Sequence, residues 1–308
     1  MSPKILLYHA YGLRYLYNQV SFSLLTLYYH LNGKFDGIRI IVYTDRPKIF
    51  DKYKTQFPLE TELLTQEILL NFKGEMEFVH RVKICILKDC FEKYKSDILY
   101  LDSDTYFTSS PLALLNEIRP GTSVMNSNDY DLEHAGELFE NQDWLMIRRA
   151  IRDFEYTING EIKKISLSTR MWNAGVIGLS IDDSYLLNNV LNLADQIYRN
   201  KKVFTAEQFS FSYFLQHHTQ MIDSGDTIFH YWRYWGSFKW RQTYTYHLRK
   251  FFKNYIHYSV AGQSKKAYEL TLRHDTLKLP FGIFYKLIKR LRLMKEIAVN
   301  GKLKNPID

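Results

Sequence analysis

Cysteine is scarce in this chain of 308 residues, with two in all, Cys85 and Cys90. They stand five apart in a segment of helical pattern, which turns them to different faces. A disulfide between them is therefore not expected, and buried free thiols are. A disulfide-stapled scaffold is excluded, and a reducing compartment fits. Long apolar runs are missing too: no stretch of about 18 apolar residues occurs, so no membrane-spanning helix is expected. The opening MSPKILLYHAYG turns polar too soon for a secretory leader. There is no internal repeat and no low-complexity linker. Apolar residues make up 46% and charged residues 24%, which excludes disordered and collagen-like chains. The length suits about two domains or one large α/β domain, with ample core.

Acidic residues are rare at one end only. Residues 239–308 hold 16 Lys/Arg against 4 Asp/Glu, a balance of +12, while residues 1–238 hold 25 against 29, a balance of −4. A near-neutral body thus carries a strongly basic extension. Within it, Phe281–Lys295 sets Phe284, Leu287, Ile288, Leu291 and Met294 on one side of a helix. Lys286, Lys289, Arg290 and Lys295 fall around the other. That pattern suits a helix lying on an anionic membrane surface, or one docked on the body with a solvated basic face. Aromatics are plentiful, with 24 Tyr and 20 Phe, and serve either ligand stacking or plain core.

From residue 4 to about 215, apolar strand-like runs alternate with amphipathic helical runs. Strands are expected at Lys4–Tyr8, Ile38–Tyr43, Asp97–Leu101, Thr122–Met125 and Gly175–Leu179. Helices are expected at Tyr15–Leu31, Arg81–Tyr94, Pro111–Ile118, Ser184–Tyr198 and Ala206–Leu215. Residues 129–170 read as polar and mostly helical, with a turn at Asn159-Gly160. The alternation predicts a mainly parallel sheet with helices on both faces, and ligands at the C-terminal strand ends.

The sharpest segment is Asp97-Ile-Leu-Tyr-Leu-Asp-Ser-Asp-Thr-Tyr106. An apolar strand stops at Asp102-Ser103-Asp104. Residues i and i+2 of extended chain project to one side, so both carboxylates can face one point. They repel unless a cation lies between them, and oxygen ligands suit Mg²⁺ or Mn²⁺. A plain polar turn is the other reading of this motif. At the ends of the first two strands lie Tyr8, Ala10 and Tyr11, then Tyr43 and Asp45. Aromatic rings there can stack on a base, and a carboxylate can accept a ribose hydrogen bond.

Ile-Leu-Tyr-Leu-Asp-Ser-Asp-Thr resembles the metal motif of GT-A nucleotide-sugar glycosyltransferases. Three more segments agree in order: Arg81-Val-Lys83, Trp172-Asn-Ala-Gly-Val-Ile-Gly-Leu179 with Glu207-Gln208, and His230-Tyr-Trp-Arg-Tyr-Trp-Gly236-Ser-Phe-Lys239-Trp240. The likeness is to the retaining glycogenin-like and lipopolysaccharide galactosyltransferase-like families, and it spans residues 4–240.

The resemblance implies a Rossmann-like GT-A catalytic domain at 1–240 and a helical extension at 241–308. It implies Mn²⁺ (or Mg²⁺) held by Asp102, Asp104 and His230, and a UDP-sugar donor near Arg81, Lys83 and Ser103. Lys239, beside Gly236, would face the diphosphate. The strand-end residues Tyr8, Ala10, Tyr11, Tyr43 and Asp45 would hold the nucleoside. Asn173, Ala174 and Gly175 would approach the donor sugar, with Gln208 at its reacting face and Glu207 orienting hydroxyls. A carbohydrate or lipid-linked glycan acceptor would enter by Asn126, Asp129, Asp131 and Trp172. The chain departs from the pattern in three places: three extra residues separate His230 from Gly236, no Pro stands between Lys239 and Trp240, and Glu207 replaces Asp. The basic extension adds a cytoplasmic enzyme at an inner membrane face, and nucleic acid is not an expected partner. Two other classes fit parts of the pattern: a sugar- or nucleotide-binding module without turnover, and a D-x-D phosphatase, whose motif wants Thr or Val where Tyr106 stands.

Overall fold

A computed structural model describes residues 3–133, 142–231 and 238–272. In chain order the first half holds β1 (Lys4–Ala10), α1 (Arg14–His30), β2 (Ile38–Thr44), β3 (Leu59–Leu63), α2 (Gln66–Lys73), α3 (Arg81–Tyr94), β4 (Ile98–Leu101), β5 (Thr105–Phe107), α4 (Leu112–Glu117) and β6 (Thr122–Met125). The second half holds β7 (Asn128–Asp131), α5 (Gln142–Asp153), β8 (Tyr156–Ile158), β9 (Glu161–Lys163), β10 (Arg170–Trp172), β11 (Val176–Leu179), α6 (Leu186–Asn200), α7 (Ala206–His218), β12 (Gln220–Asp223), β13 (Ile228–His230) and α8 (Phe238–Tyr255). A further helix runs through 260–272.

Seven strands form the central sheet in the order β12-β6-β11-β4-β1-β2-β3. All neighbours are parallel except β11, which runs antiparallel to both β4 and β6. The fold is thus the mainly parallel α/β class the alternation predicts. Strands β1 and β4 read as unbroken apolar runs because helices cover the sheet on both sides. One core layer joins Ile5, Leu7, Ile41 and Tyr100 to α3, α6 and α7. The other joins Leu6, Tyr8, Ile40 and Leu99 to α1 and to Leu248 and Phe251 of α8. The boundary expected at 240 falls inside α8. Phe251 meets Phe22 of α1 edge-on, with centroids 5.6 Å apart. Tyr268 stacks on Tyr29 at 4.0 Å. Aromatics fill the core: among the described residues, the twelve largest fully buried side chains are all Tyr or Phe.

Register places the strand ends. Tyr8 pairs with both Val42 and Leu101, so β1, β2 and β4 finish at one edge. The reversed β11 pairs Val176 with Leu101, so Gly175 enters the sheet where β4 leaves it. The ribbon β13–β5 pairs His230 with Thr105. These pairings carry Asp102, Asp104, Asn173 and His230 to one point.

Residues 129–170 differ from expectation. They contribute one helix, α5, but also β7, which pairs with β10, and a β8–β9 hairpin. The hairpin turns on Asn159 (φ 54°) and Gly160 (φ 82°), the positive-φ pair a two-residue type I′ turn needs. The basic segment 281–308 lies outside the described residues.

Candidate functional site

The C-terminal edge of the sheet opens into a cavity of about 720 Å³, within the usual range for small-molecule sites. Asp102, Ser103 and Asp104 lie at its floor with His230, Asn173, Lys83, Glu207 and Gln208. One ligand atom each from Asp102, Asp104 and His230 lie within 4.8 Å of one another. His230 Nε2 is 3.1 Å from Asp104 Oδ1 and 4.0 Å from Asp102 Oδ2. Ligand atoms about 2.1 Å from a shared octahedral ion stand roughly 3.0 Å apart when adjacent and about 4.2 Å apart when opposite. The cluster spacing is close to that.

The tautomer of His230 strengthens the case. Asn173 Oδ1 accepts the backbone N–H of Gly175 at 2.9 Å, which fixes the amide with its oxygen toward the ring. The same oxygen lies 2.7 Å from His230 Nδ1, so Nδ1 carries hydrogen and donates. In the neutral ring Nε2 then turns a lone pair toward the Asp104 carboxylate. Two acceptors at 3.1 Å repel unless a proton or a cation lies between them. Gly175 is what lets the ring sit there. A Cβ on that residue would stand 2.1 Å from His230 Nδ1. Its backbone has no positive φ, so the need for glycine is one of space.

Lys83, on the first turn of α3, is buried. It donates to Asp102 Oδ2 at 3.1 Å and to the Ala174 carbonyl at 3.0 Å, and it pairs with Glu207 Oε1 at 3.0 Å. Tyr100 donates its hydroxyl to Asp102 Oδ1 at 2.6 Å. Burial would raise the Asp102 pKa, but Lys83, His230 and the Tyr100 hydroxyl outweigh it and hold it at about 2. Glu207 goes the other way: burial lifts it to about 7, against the pull of Lys83 and with a push from Asp102. Burial also opposes the charge on Lys83, yet its two carboxylates keep its pKa above the ordinary lysine value. Lys83 thus ties Asp102 to Glu207 at the start of α7. Ser103 donates to Gln19 Oε1 at 3.0 Å, anchoring the loop between the two Asp residues to α1.

The expected nucleoside residues divide. Alternation along β1 turns Tyr8 and Ala10 into the α1 layer, where Tyr8 meets Ser23 Oγ at 3.1 Å, and leaves His9 and Tyr11 facing the cavity. His9 and Tyr11 stack at 5.8 Å. Burial lowers the His9 pKa to about 4, against the Asp102 charge, so its ring is neutral at pH 7. Tyr43 donates to Asp89 Oδ2 at the other end of its own layer and does not line the cavity. Asp45 stands behind the wall, accepting from Tyr17 at 2.6 Å and from the N–H of Gly12 at 3.2 Å. Arg81 pairs with Asp195 at 3.0 Å and caps the Phe72 carbonyl at 2.8 Å, so it ties α3 to α6 and α2. Asn126 is a buried structural donor to Ser224 and the Ile228 carbonyl. Trp172 packs on the core. Asp129 and Asp131 lie on β7, and their side chains are outside the described residues, as are Gly236 and the side chain of Lys239.

The cavity also has walls the motifs did not flag: Leu13, Gln19, Lys73, Val79, His80, Trp144 and Phe204. Leu13, Val79 and Phe204 are exposed apolar residues at its rim.

No family model matches the chain, and no curated protein matches it. Among solved structures it is similar to the galactosyltransferase LgtC in complex with donor and acceptor sugar analogs. The identity is 12% over 71% of this chain and 73% of that one, with a TM-score of 0.46. It is also similar to the bifunctional glycosyltransferase WbbM, at 9% identity over 72% of this chain and 38% of that one, with a TM-score of 0.44. An active-site mutant of LgtC gives 14% identity, 71% and 73% coverage and a TM-score of 0.43.

Proposed function

We propose that this chain is a metal-dependent glycosyltransferase that moves a hexose from a nucleotide-diphosphate sugar, UDP-linked by resemblance, to a glycan or lipid-linked acceptor with retention of configuration. The observation that carries the reading is the imidazole of His230, held through Nδ1 by Asn173 at 2.7 Å with Nε2 3.1 Å from the Asp104 carboxylate beside Asp102. Two carboxylates and one imidazole form a mixed donor set that suits Mn²⁺, with Mg²⁺ as the second choice. A divalent ion held there supplies a Lewis acid for the departing diphosphate.

The chain's own residues have distinct tasks in this reading. Asn173 holds the ring tautomer, and the tight strand entry at Ala174 and Gly175 lets backbone approach the donor sugar. Lys83 keeps Asp102 ionised and adds positive charge near the diphosphate. Tyr11, with His9, offers a stacking surface for the base. Gln208 lines the cavity at the start of α7 and is our candidate for the reacting face of the sugar, with Glu207 behind it orienting hydroxyls. Lys239 and Gly236 remain the proposed diphosphate contacts from the segment after His230. The acceptor would enter over the rim beside Trp144 and Phe204, which replace the entry expected from Asn126 and Trp172.

The catalytic unit is proposed as 1–240 and the basic extension as 241–308. We assign the protein to the cytoplasmic face of a membrane, with 281–308 touching anionic lipid and no nucleic acid partner. No helix of the described residues is long and apolar enough to cross a membrane. The test of function is donor turnover with Mn²⁺ across a panel of UDP-sugars. One sugar should be hydrolysed or transferred, chelator should stop it, and Gln208→Ala should cut turnover by orders of magnitude. A panel with no metal-dependent turnover, or a fully active Gln208→Ala, contradicts the reading.

A further inference from the structure

His9 stands near the end of β1, on the sheet face that carries Leu7 and its register partner Tyr100, and it lines the cavity. Its ring lies 5.8 Å from that of Tyr11 and 5.8 Å from that of Tyr100, nearly parallel to both. The order toward the strand end is therefore Tyr100, His9, Tyr11. Hydrogen bonds assign the imidazole hydrogen. An ionised Asp102 has none to give, so Tyr100 spends its single hydroxyl hydrogen on Asp102 Oδ1 at 2.6 Å. The 2.8 Å contact between His9 Nδ1 and the Tyr100 oxygen must then be donated by the ring. Burial holds the His9 pKa at about 4, so the neutral ring carries that one hydrogen. Its Nε2 is a bare lone pair. Among the described residues nothing donates to it, and it is not sealed from the cavity.

We propose that His9 is a specificity-determining residue whose Nε2 accepts a hydrogen bond from a ribose hydroxyl of the donor, and so selects a ribonucleotide over its deoxy counterpart. The assignment rests on the nucleotide-diphosphate reading above. A lone pair repels the oxygens of a diphosphate and the carbonyls of a base, so Nε2 needs an O–H or N–H. Placement chooses the hydroxyl. On one side of His9, Tyr100 is bonded to Asp102 of the metal cluster. On the other side stands Tyr11, the stacking surface for the base. With the diphosphate at the ion and the base on Tyr11, His9 is level with the sugar that joins them. The single ring N–H of uracil lies on the edge away from that sugar. A ribose hydroxyl completes a chain in which each hydrogen is used once: ribose to Nε2, Nδ1 to Tyr100, and Tyr100 to Asp102. A deoxy sugar leaves Nε2 covered by ligand and without a donor.

The test is calorimetry of the full-length chain in saturating Mn²⁺ with UDP, 2′-deoxy-UDP and 3′-deoxy-UDP. The wild type should bind one of the two deoxy analogues about tenfold more weakly than UDP, the usual cost of a covered acceptor left without its donor. His9→Phe keeps an aromatic ring beside Tyr11 and removes the acceptor. His9→Leu, smaller and also without an acceptor, is measured beside it. In both variants UDP should weaken about tenfold, and the preference over that analogue should vanish. A merely structural role for His9 would weaken all three ligands alike. The proposal is overturned by a wild type that binds all three equally. It is overturned as well by folded variants that keep the wild-type preference, or that lose UDP and both analogues in equal measure. Absence of any UDP binding contradicts the donor reading and this assignment with it, whereas UDP binding without deoxy discrimination contradicts this assignment alone.

Discussion

Replacing Gly175 with alanine puts one methyl group where the His230 ring lies. The new Cβ would stand 2.1 Å from Nδ1, 2.3 Å from Cε1 and 2.6 Å from Cγ. Non-bonded carbons settle at about 3.5 Å or beyond, so the ring must retreat by more than about 1 Å. Ring displacement on that scale breaks the 2.7 Å bond to Asn173 and takes Nε2 away from Asp104. A metal site tolerates distance errors of only about 0.2 Å. Loss of an outer partner alone costs about 10–100-fold in metal affinity, so loss of the ligand itself should cost at least about 100-fold. Calorimetric titration with Mn²⁺ reads this directly. Gly178→Ala, on the same strand, is the control. Its Cβ would meet Val124 Cβ at 2.8 Å and Ile118 Cδ1 at 2.9 Å, in the α1 layer and away from the ring. Overpacking there should cost about 1–3 kcal/mol of stability and leave metal affinity intact. Wild-type Mn²⁺ affinity in folded Gly175→Ala, or equal loss of affinity in Gly178→Ala, would refute the reasoning.

Asn173→Ala removes the acceptor that fixes the imidazole tautomer and should weaken Mn²⁺ binding about 10–100-fold with little change in fold, measured by the same titration. Lys83→Met leaves the buried Glu207 and the half-buried Asp102 without their cation. It should cost about 3–5 kcal/mol in urea unfolding, and Glu207→Met added to it should recover part of that loss. Glu207 has a folded pKa of about 7 against an ordinary 4.5, so its contribution is full below 4.5 and lost as pH rises through 7. The stability of Glu207→Gln relative to wild type should therefore increase across that window in metal-free protein, and a flat difference would contradict the assignment. Mn²⁺ at a hundred times its dissociation constant should add about 2.7 kcal/mol of stability, seen as a rise in Tm that chelator reverses and that Asp104→Asn abolishes.

Much of the fold was legible because its elements announce themselves locally. Helix α3 matches its expected limits, Arg81–Tyr94, and strand β6 matches Thr122–Met125. Strand β4 was plain because four apolar residues end abruptly at two Asp. Strand β3 (LETEL) and strand β12 (QMID) carry no strand signal, because these edge strands are short and half polar and nothing in their pattern separates them from loop. The segment 129–170 has a mostly helical polar pattern, yet it holds the β8–β9 hairpin, because the Asn159-Gly160 turn pairs strands of only three residues whose own pattern is too short to mark them. The D-x-D motif and His230 could be found from residue type and order. The part that was not legible is long-range: the Asn173–His230 bond spans 57 positions, and the antiparallel entry of β11 that makes it possible leaves no local trace. The turn of Arg81 and Tyr43 away from the cavity has the same origin. Which side of a helix or strand faces a ligand is decided by partners such as Asp195 and Asp89, not by the motif. The rim residues Leu13, Val79 and Phe204 had no motif at all, since an exposed apolar side chain becomes informative only once it borders a cavity.

The most direct test of the account is calorimetry of UDP binding in the presence of Mn²⁺ and after metal removal, in wild type and in Asp104→Asn. The account predicts binding that requires the ion, vanishes in the variant and leaves the variant's fold intact. UDP binding of equal strength without metal, or in Asp104→Asn, would contradict the claim that Asp102, Asp104 and His230 form the donor's metal site.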